Sequence, residues 1–420
     1  MSTFEHHPTQ TNGGPKFAGQ HLVFTAYESG TTPDRFVIEV YENTNITATG
    51  TKIGEFYLTP NTTGRVQFDL ANVIEGRLAS AVNATGGGVI HAHNFTSMTA
   101  ALQSSDRCMR EYELKLYNYT GGTKSAVQDT EDVGVMPGVC QISDGYLSFK
   151  ESPYLMQSAT AKGFLTDRGE PQEDIEMYMA DEDEGIVAIV HPDKFLVASQ
   201  ESEVNKFFYS VYQTGGTVTD EMSVGQSVFA NQNYLMGCLG PSQVAQLLGS
   251  SWDGTWTKIE IEMRRATAPV ARSKKLIIHR DCRPIKHDPV QLTWANTVGG
   301  WDYLRFDGRA LKTVNTEDKR YRKTVGSYGE ADFTFNAYDR QDTPYHVTAR
   351  EKYALRNQFF TASERDLLQY CLRSKNVMFR VGTGDWLPCT VDTKSYTVQP
   401  AASKLFDVSL NIELAQDIRC

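Results

Sequence analysis

The chain has 420 residues, with 41 Lys plus Arg against 51 Asp plus Glu, a formal net charge of −10 and a pI near 5.5. That balance argues against a general nucleic-acid binder, because affinity for a phosphate backbone comes from clustered positive charge. Hydrophobic residues make up 40% and charged ones 22%, a globular composition rather than a disordered one, and the length suits two or three domains.

No apolar run approaches the ~20 residues of a bilayer-spanning helix, and the opening MSTFEHHPTQTNGGPK lacks the basic start and apolar middle of a signal peptide. A soluble chain made in the cytoplasm, without membrane insertion, is expected. The seven cysteines (Cys108, Cys140, Cys238, Cys282, Cys371, Cys389, Cys420) are odd in number and have no close pair, so free, mostly buried thiols are expected, with no metal and no cofactor. Twenty Tyr, 20 Phe and 33 Gly favour strands joined by turns. The expected fold class is mainly β: two or three antiparallel β-sandwich or barrel-like domains with a few short helices.

Residues 1–16 are polar, contain Gly and Pro, and show no periodicity, which predicts a flexible N-terminal arm or one ordered by a partner. Period-two strands follow at 21–27, 35–41, 52–58 and 65–68, separated by turn-rich stretches. Asp69 is placed to cap a short helix carrying Val73, Ile74 and Leu78, and a strand at 110–117 completes a β-sandwich domain over 17–137. A second β-rich domain, 138–289, contains an acidic loop at 167–184 and strands near 185–190, 205–212, 256–263 and 275–279, with helix at 241–248. The C-terminal β domain, 290–420, has one packed helix at 362–373. Thr361 and Glu364 form a capping box there, and Leu367, Leu368, Cys371 and Leu372 make one apolar stripe. Its sheet is expected from strands at 376–381, 396–398 and 405–414.

Charge divides the chain. Residues 1–210 hold 14 basic and 28 acidic side chains, net −14, and residues 211–420 hold 27 and 23, net +4. The acidic extreme contains Asp181, Glu182, Asp183 and Glu184. The basic extreme, 264–286, contains Arg272, Lys274, Lys275, Arg280 and Arg283, and a second basic run spans 305–323. These nine residues are the candidate assembly contacts, because opposed patches steer encounter and fix register between copies.

Catalytic signatures are missing: there is no G-x-S-x-G elbow, H-E-x-x-H, Walker A or G-x-G-x-x-G after a strand. His279, Arg280 and Asp281 spell a kinase-like triplet without the rest of that pattern. His91 and His93 share a strand face as a metal pair would, but no third ligand is identifiable. The 181–185 turn lacks EF-hand spacing. Five N-x-S/T sequons, at Asn45, Asn61, Asn83, Asn94 and Asn118, read as solvated Asn- and Thr-rich turns, and the five Trp residues as buried anchors rather than sugar platforms.

Three stretches then stand together: WANTVGGWDYLRF (294–306) followed by KRYRK (319–323), FFTASERDLLQYCLRSK (359–375), and DVSLNIELA (407–415). With GRVQFDL (64–70) leading into a helix, this order resembles virion structural proteins of tailed bacteriophages, particularly tail-tip or baseplate-type components of phages of marine and Bacteroidota hosts. The resemblance implies a non-enzymatic, multi-copy tail or baseplate protein located in the virion, with β-domains packed into a ring and no catalytic residue. Its partners would be copies of itself and other virion proteins, with no nucleic acid as main partner. The alternatives from other classes are a host-surface polysaccharide-binding adhesin (a receptor-binding protein contacting host-surface glycans) and a polysaccharide or cell-wall hydrolase.

Overall fold

The computed structural model of the protein describes residues 2–6, 16–17, 19, 21–30, 32–43, 50–74, 110–136, 163–164, 166–168, 173–190, 205–222, 234–265, 273–283, 286–323, 341–360, 362–374, 376–392, 406–415 and 418–419. Strands dominate and most pair antiparallel, so the protein is mainly β, with sheets arranged as β-sandwich domains and short helices between them. The chain divides into two compact units, Met1–Arg283 with Trp294–Tyr303, and Pro284–Thr293 with Leu304–Cys420.

The first unit opens with β1 (Ser2–His6), β2 (Lys16–Phe17), β3 (Val23–Glu28), β4 (Arg35–Asn43), β5 (Thr51–Leu58), β6 (Arg65–Asp69), β7 (Arg110–Thr120), β8 (Thr123–Lys124) and β9 (Asp129–Met136). They form two sheets, ordered β1-β3-β6 and β2-β9-β7-β4-β5, with β8 beside β7. Period-two patterning sends Phe24 and Phe68 from the small sheet and Phe36, Ile38, Leu114 and Leu116 from the large one into a single core. Asp69 caps the helical turn at 71–74 as expected, its Oδ1 accepting from Ala71 N at 3.1 Å and from Leu22 N at 2.9 Å. Leu78 lies outside the described residues.

Two expectations are corrected here. Residues 2–6, assigned to a flexible arm, form β1 against β3, because Phe4 enters the core and Ser2 is buried beside Glu28. Ser2 also donates to Asn118 Oδ1 at 2.5 Å, and Asn118 Nδ2 donates to Glu28 at 3.0 Å, so this sequon is a half-buried bridge on β7 rather than a solvated turn. Asn61 does sit in an exposed turn, where its Oδ1 accepts from the backbone of Thr63 and Arg65. Asn45, Asn83 and Asn94, with His91 and His93, lie outside the described residues.

The rest of the first unit holds β10 (Ile175–Met179), β11 (Ile186–Val190), β12 (Asn205–Gln213), β13 (Gly216–Met222), β14 (Tyr234–Cys238), α1 (Pro241–Leu248), β15 (Lys258–Arg265) and β16 (Leu276–Arg280). A five-stranded sheet runs β10-β16-β15-β12-β13, and β11 pairs with β14. Tyr209 and Phe207 of β12 are fully buried; Tyr209 donates to Cys238 O at 2.9 Å and Gly237 leaves them room, since a Cβ there would lie 3.0 Å from the Tyr209 hydroxyl.

The second unit is built on β17 (Val290–Ala295), β18 (Trp301–Phe306), β19 (Leu311–Arg322), β20 (Asp342–Phe360), α2 (Ala362–Arg373), β21 (Val377–Val381), β22 (Leu387–Val391), β23 (Phe406–Leu414) and β24 (Ile418–Arg419). The tips of β17 and β18 and the turn joining them, 294–303, group with the first unit. The sheet order is β18-β17-β21-β22-β23-β20-β19, with β24 also on β20. Helix α2 packs Leu367, Leu368 and Cys371 toward β20 and β23. Gly308 lets the chain pass Arg356 closely: a Cβ there would meet the Arg356 carbonyl oxygen at 2.0 Å. Thr361 and the 396–398 strand lie outside the described residues. Strands β20 and β22 have no counterpart in the sequence reading, and β19 falls inside the basic run at 305–323.

Candidate functional site

The acidic turn at 181–184 is a built structure. Asp183 is buried; its Oδ2 accepts from Ala180 N at 2.8 Å while its own N–H donates to Ala180 O at 3.1 Å. Ser242 at the start of α1 donates to Asp183 O at 3.1 Å, and Gln243 Oε1 accepts from both Gly185 N and Gly240 N. Gly240 is required by this contact, since a Cβ would lie 2.4 Å from Asp183 O. Glu182 and Glu184 are half-buried in the same turn.

Asp181 faces the basic stretch of its own chain. It accepts from Trp256 Nε1 at 2.9 Å and pairs with Arg280 Nη2 at 2.5 Å, and the Arg280 guanidinium lies 5.7 Å from the centre of the Trp256 ring. Lys275 Nζ reaches Glu260 Oε2 at 2.8 Å, with Lys258 Nζ on the other oxygen at 2.6 Å. Burial alone would raise the Glu260 carboxyl, yet these two ammonium groups hold it down at about 2. Arg283 grips Asp281 with Nη2 to Oδ2 at 2.6 Å, and Lys274 is half-buried. Arg272 lies outside the described residues. The structure thus brings Asp181 and Arg280 together inside one chain and sets Lys275 and Arg283 on other carboxylates.

Sequence reading missed a pair of acids, Asp302 buried and Asp167 half-buried. Asp302, in β18, accepts from the Thr166 hydroxyl and from Asp167 N at 2.9 Å. Asp167 accepts from Thr297 N at 3.0 Å and Thr297 Oγ1 at 2.5 Å, and Arg168 donates to Tyr303 O. Burial first, then the Asp302 charge, pushes Asp167 up to about 7 against the two Thr297 donors. Burial likewise raises Asp302, offset by the Arg168 charge. Asp167 stood inside the acidic stretch and Asp302 in a Gly-rich run, and nothing in spacing signals that they meet. Every donor around them comes from the chain itself, so the pair ties 166–168 to the 296–303 turn.

A second polar cluster lies on the outer face of the large N-terminal sheet. Glu39 accepts from Lys52, from Lys124 at 2.6 Å, and from the Tyr41 and Tyr117 hydroxyls, each at 2.7 Å. Tyr57 and Tyr119 stand edge to face on the same sheet, 5.7 Å between centres, with Tyr57 49% exposed. Trp256, Trp294, Trp301 and Trp386 are buried, as anchors would be, while Trp252 is half-buried.

The most open surface is the β19–β20 ribbon. All twelve residues of β19 are exposed, and among the described residues the strand ends its sheet. Leu311, Val314 and Tyr321 on β19 and Tyr345 on β20 are large apolar or aromatic side chains left in solvent.

Among the described residues no helix is long and apolar enough to cross a membrane. No family model matches the chain, and no curated protein matches it. Among solved structures, CBD12 from CALX1.2 aligns over 62% of this chain and 93% of its own at 10% identity, with a TM-score of 0.17. A marsupial T cell receptor aligns over 100% and 98% at 8% identity and 0.18, and the chicken CNTN1 FN1-FN3 domains over 97% and 96% at 6% identity and 0.18. Likeness at this level carries no inference, and the β-sandwich assignment rests on the sheets themselves.

Proposed function

We propose that the protein is a structural component of a tailed-phage virion, a tail or baseplate protein present in multiple copies and acting through protein–protein contacts, with no catalytic role. The observation that carries this reading is the β19–β20 ribbon: a twelve-residue strand, every residue exposed, that among the described residues lies at the edge of its sheet. An open, long edge is a hazard for a monomer and an asset for a chain that is to be joined by another. The test is quantitative mass spectrometry of purified particles together with negative-stain imaging of the isolated protein at high concentration. Multiple copies per particle and regular oligomers are expected; absence from the particle would overturn the reading.

A second reading, a glycan-binding adhesin, is favoured by one feature, the solvent-facing Tyr57 and Tyr119 pair, because open aromatic rings stack on sugar faces. Glycan-array binding by the monomer, lost in Tyr57→Ala, would move the assignment there.

A further inference from the structure

We propose that β19 is a homophilic pairing edge: two copies of this chain join β19 to β19 antiparallel about a two-fold axis, extending one sheet into the other. The inference rests on the multi-copy reading above and names the partner and the contact.

Geometry comes first. Twelve residues at about 3.4 Å each make an arm of roughly 40 Å. From Asp342 to Val347, β20 touches β19 on one side, and among the described residues no third strand joins it there; β24 begins at Thr348 and β23 at Lys352. A two-stranded ribbon wet on both faces is marginal in water, so a third strand along β19 is what would firm it. The extra residue that breaks the register near Lys319 falls on β20, at Tyr345, and leaves β19 itself regular.

Charge order then selects the partner. The outer half of β19 carries Glu317, Asp318, Lys319 and Arg320, two acids followed by two bases. Read antiparallel against itself, such a run matches acid to base. With Lys319 on the axis, Asp318 faces Arg320 of the second copy twice; with Asp318 on the axis, Glu317 faces Lys319 twice. In each register the one like-charged pair on the axis is flanked diagonally by opposite charge. Directly across the ribbon the run faces no charge of fixed sign, since the partners of Glu317, Asp318, Lys319 and Arg320 are Thr348, Val347, His346 and Pro344; Asp342, opposite Arg322, adds its charge to Arg320 from two positions away. Asp318 and Arg320 pair along the strand, a contact that can reorganise across the axis. Symmetry makes the contact isologous, so it closes at two copies, and any larger ring must use a further surface.

The same logic supplies the experiment. Analytical ultracentrifugation of the full chain at about 0.15 M salt compares wild type with two half-reversed variants, E317K/D318K and K319E/R320E, and with the full inversion E317K/D318K/K319E/R320E. Each half-reversed run repels its own copy, so self-association should weaken about tenfold or more. An equimolar mixture of the two should recover the wild-type dimer, and the full inversion, again self-complementary, should dimerise alone. At a dilution where wild type is itself monomeric, melting midpoints of the three variants should stay near the wild-type value, since the residues directly across the ribbon carry no fixed charge. The proposal is overturned by a monomeric wild type, by half-reversed variants that associate as wild type does, or by a mixture that fails to recover. Association that persists unchanged in both half-reversed variants removes this contact while leaving a multi-copy role standing; absence from the particle removes the role whatever the dimer does.

Discussion

Strands β4 and β19 both carry charged and aromatic side chains and are used in opposite ways. In β4, a central strand, Phe36, Ile38 and Val40 enter the sandwich core, while Glu39 on the other face is covered by Lys52, Lys124, Tyr41 and Tyr117. Burial works against the Glu39 charge, and four donors outweigh it, holding that carboxyl well below the usual range. In β19, an edge strand, the whole length is exposed and the charged run faces uncharged residues or His across the ribbon. Charge in β4 is closed by its own chain. In β19, Lys312 is closed by Glu351, but the 317–320 run has no opposite charge directly across the ribbon; edge position and the lack of an apolar face together make that run a contact surface where β4 is a fold determinant.

The sharpest way to break that comparison is truncation. Phe36→Ala removes a fully buried ring and should cost about 3 to 5 kcal/mol. Val314→Ala on β19 should stay within about 0.5 kcal/mol. Urea titrations of the two variants decide it: equal shifts in midpoint at constant slope would mean that β19 is packed in solution as β4 is.

How much of this was legible in the sequence divides along the same line. Alternating apolar residues announced β3, β4, β6 and β23, and the helices at 241–248 and 362–373 fall where the punctuation of Pro241 and the stripe of Leu367, Leu368 and Cys371 put them. Those signals are local. The β19 run, LKTVNTEDKRYR, has no apolar face, so it read as a basic stretch without a structure; only pairing with β20 makes it a strand. The site residues were harder still. Asp181 and Arg280 are 99 positions apart, and charge counting named both but could not tell that they meet within one chain. Asp167 and Asp302 meet because β18 brings Asp302 under the 166–168 backbone, and no spacing rule encodes that. The N-terminal strand was missed for a different reason: five residues with one large apolar side chain, Phe4, are too short for periodicity to register.

The next prediction concerns the closed charges. Asp167 stands at about 7, above the ~3.9 of an unfolded Asp. The folded state therefore prefers the protonated acid, and the stability linked to this group is whole below about pH 4, declines as pH climbs, and is gone above about pH 7. Asp167→Asn stays neutral throughout. At pH 8 the variant should be more stable than wild type by on the order of 1 to 3 kcal/mol, and at pH 4 the advantage should vanish. Thermal midpoints across that range test it. Parallel pH curves for the two proteins would show that Asp167 is as ionised as a surface acid, and that the first unit leaves charges open just as β19 does.

A small effect is also expected at Arg280. Its partner Asp181 is 55% exposed, and pairs in contact with solvent contribute about 0 to 1 kcal/mol, less as salt rises. Arg280→Ala leaves Asp181 in place to accept from the buried Trp256 Nε1, so no interior donor is orphaned and the loss should stay below about 1 kcal/mol. The variant also bears on assembly. If Arg280 took part in contacts between copies, its removal would weaken association while sparing the fold, the signature assigned here to the β19 run. With Arg280 held by Asp181 and stacked near Trp256, sedimentation of Arg280→Ala should match wild type. A dimer lost in Arg280→Ala and retained in K319E/R320E would transfer the contact surface from the edge strand to the 264–286 stretch.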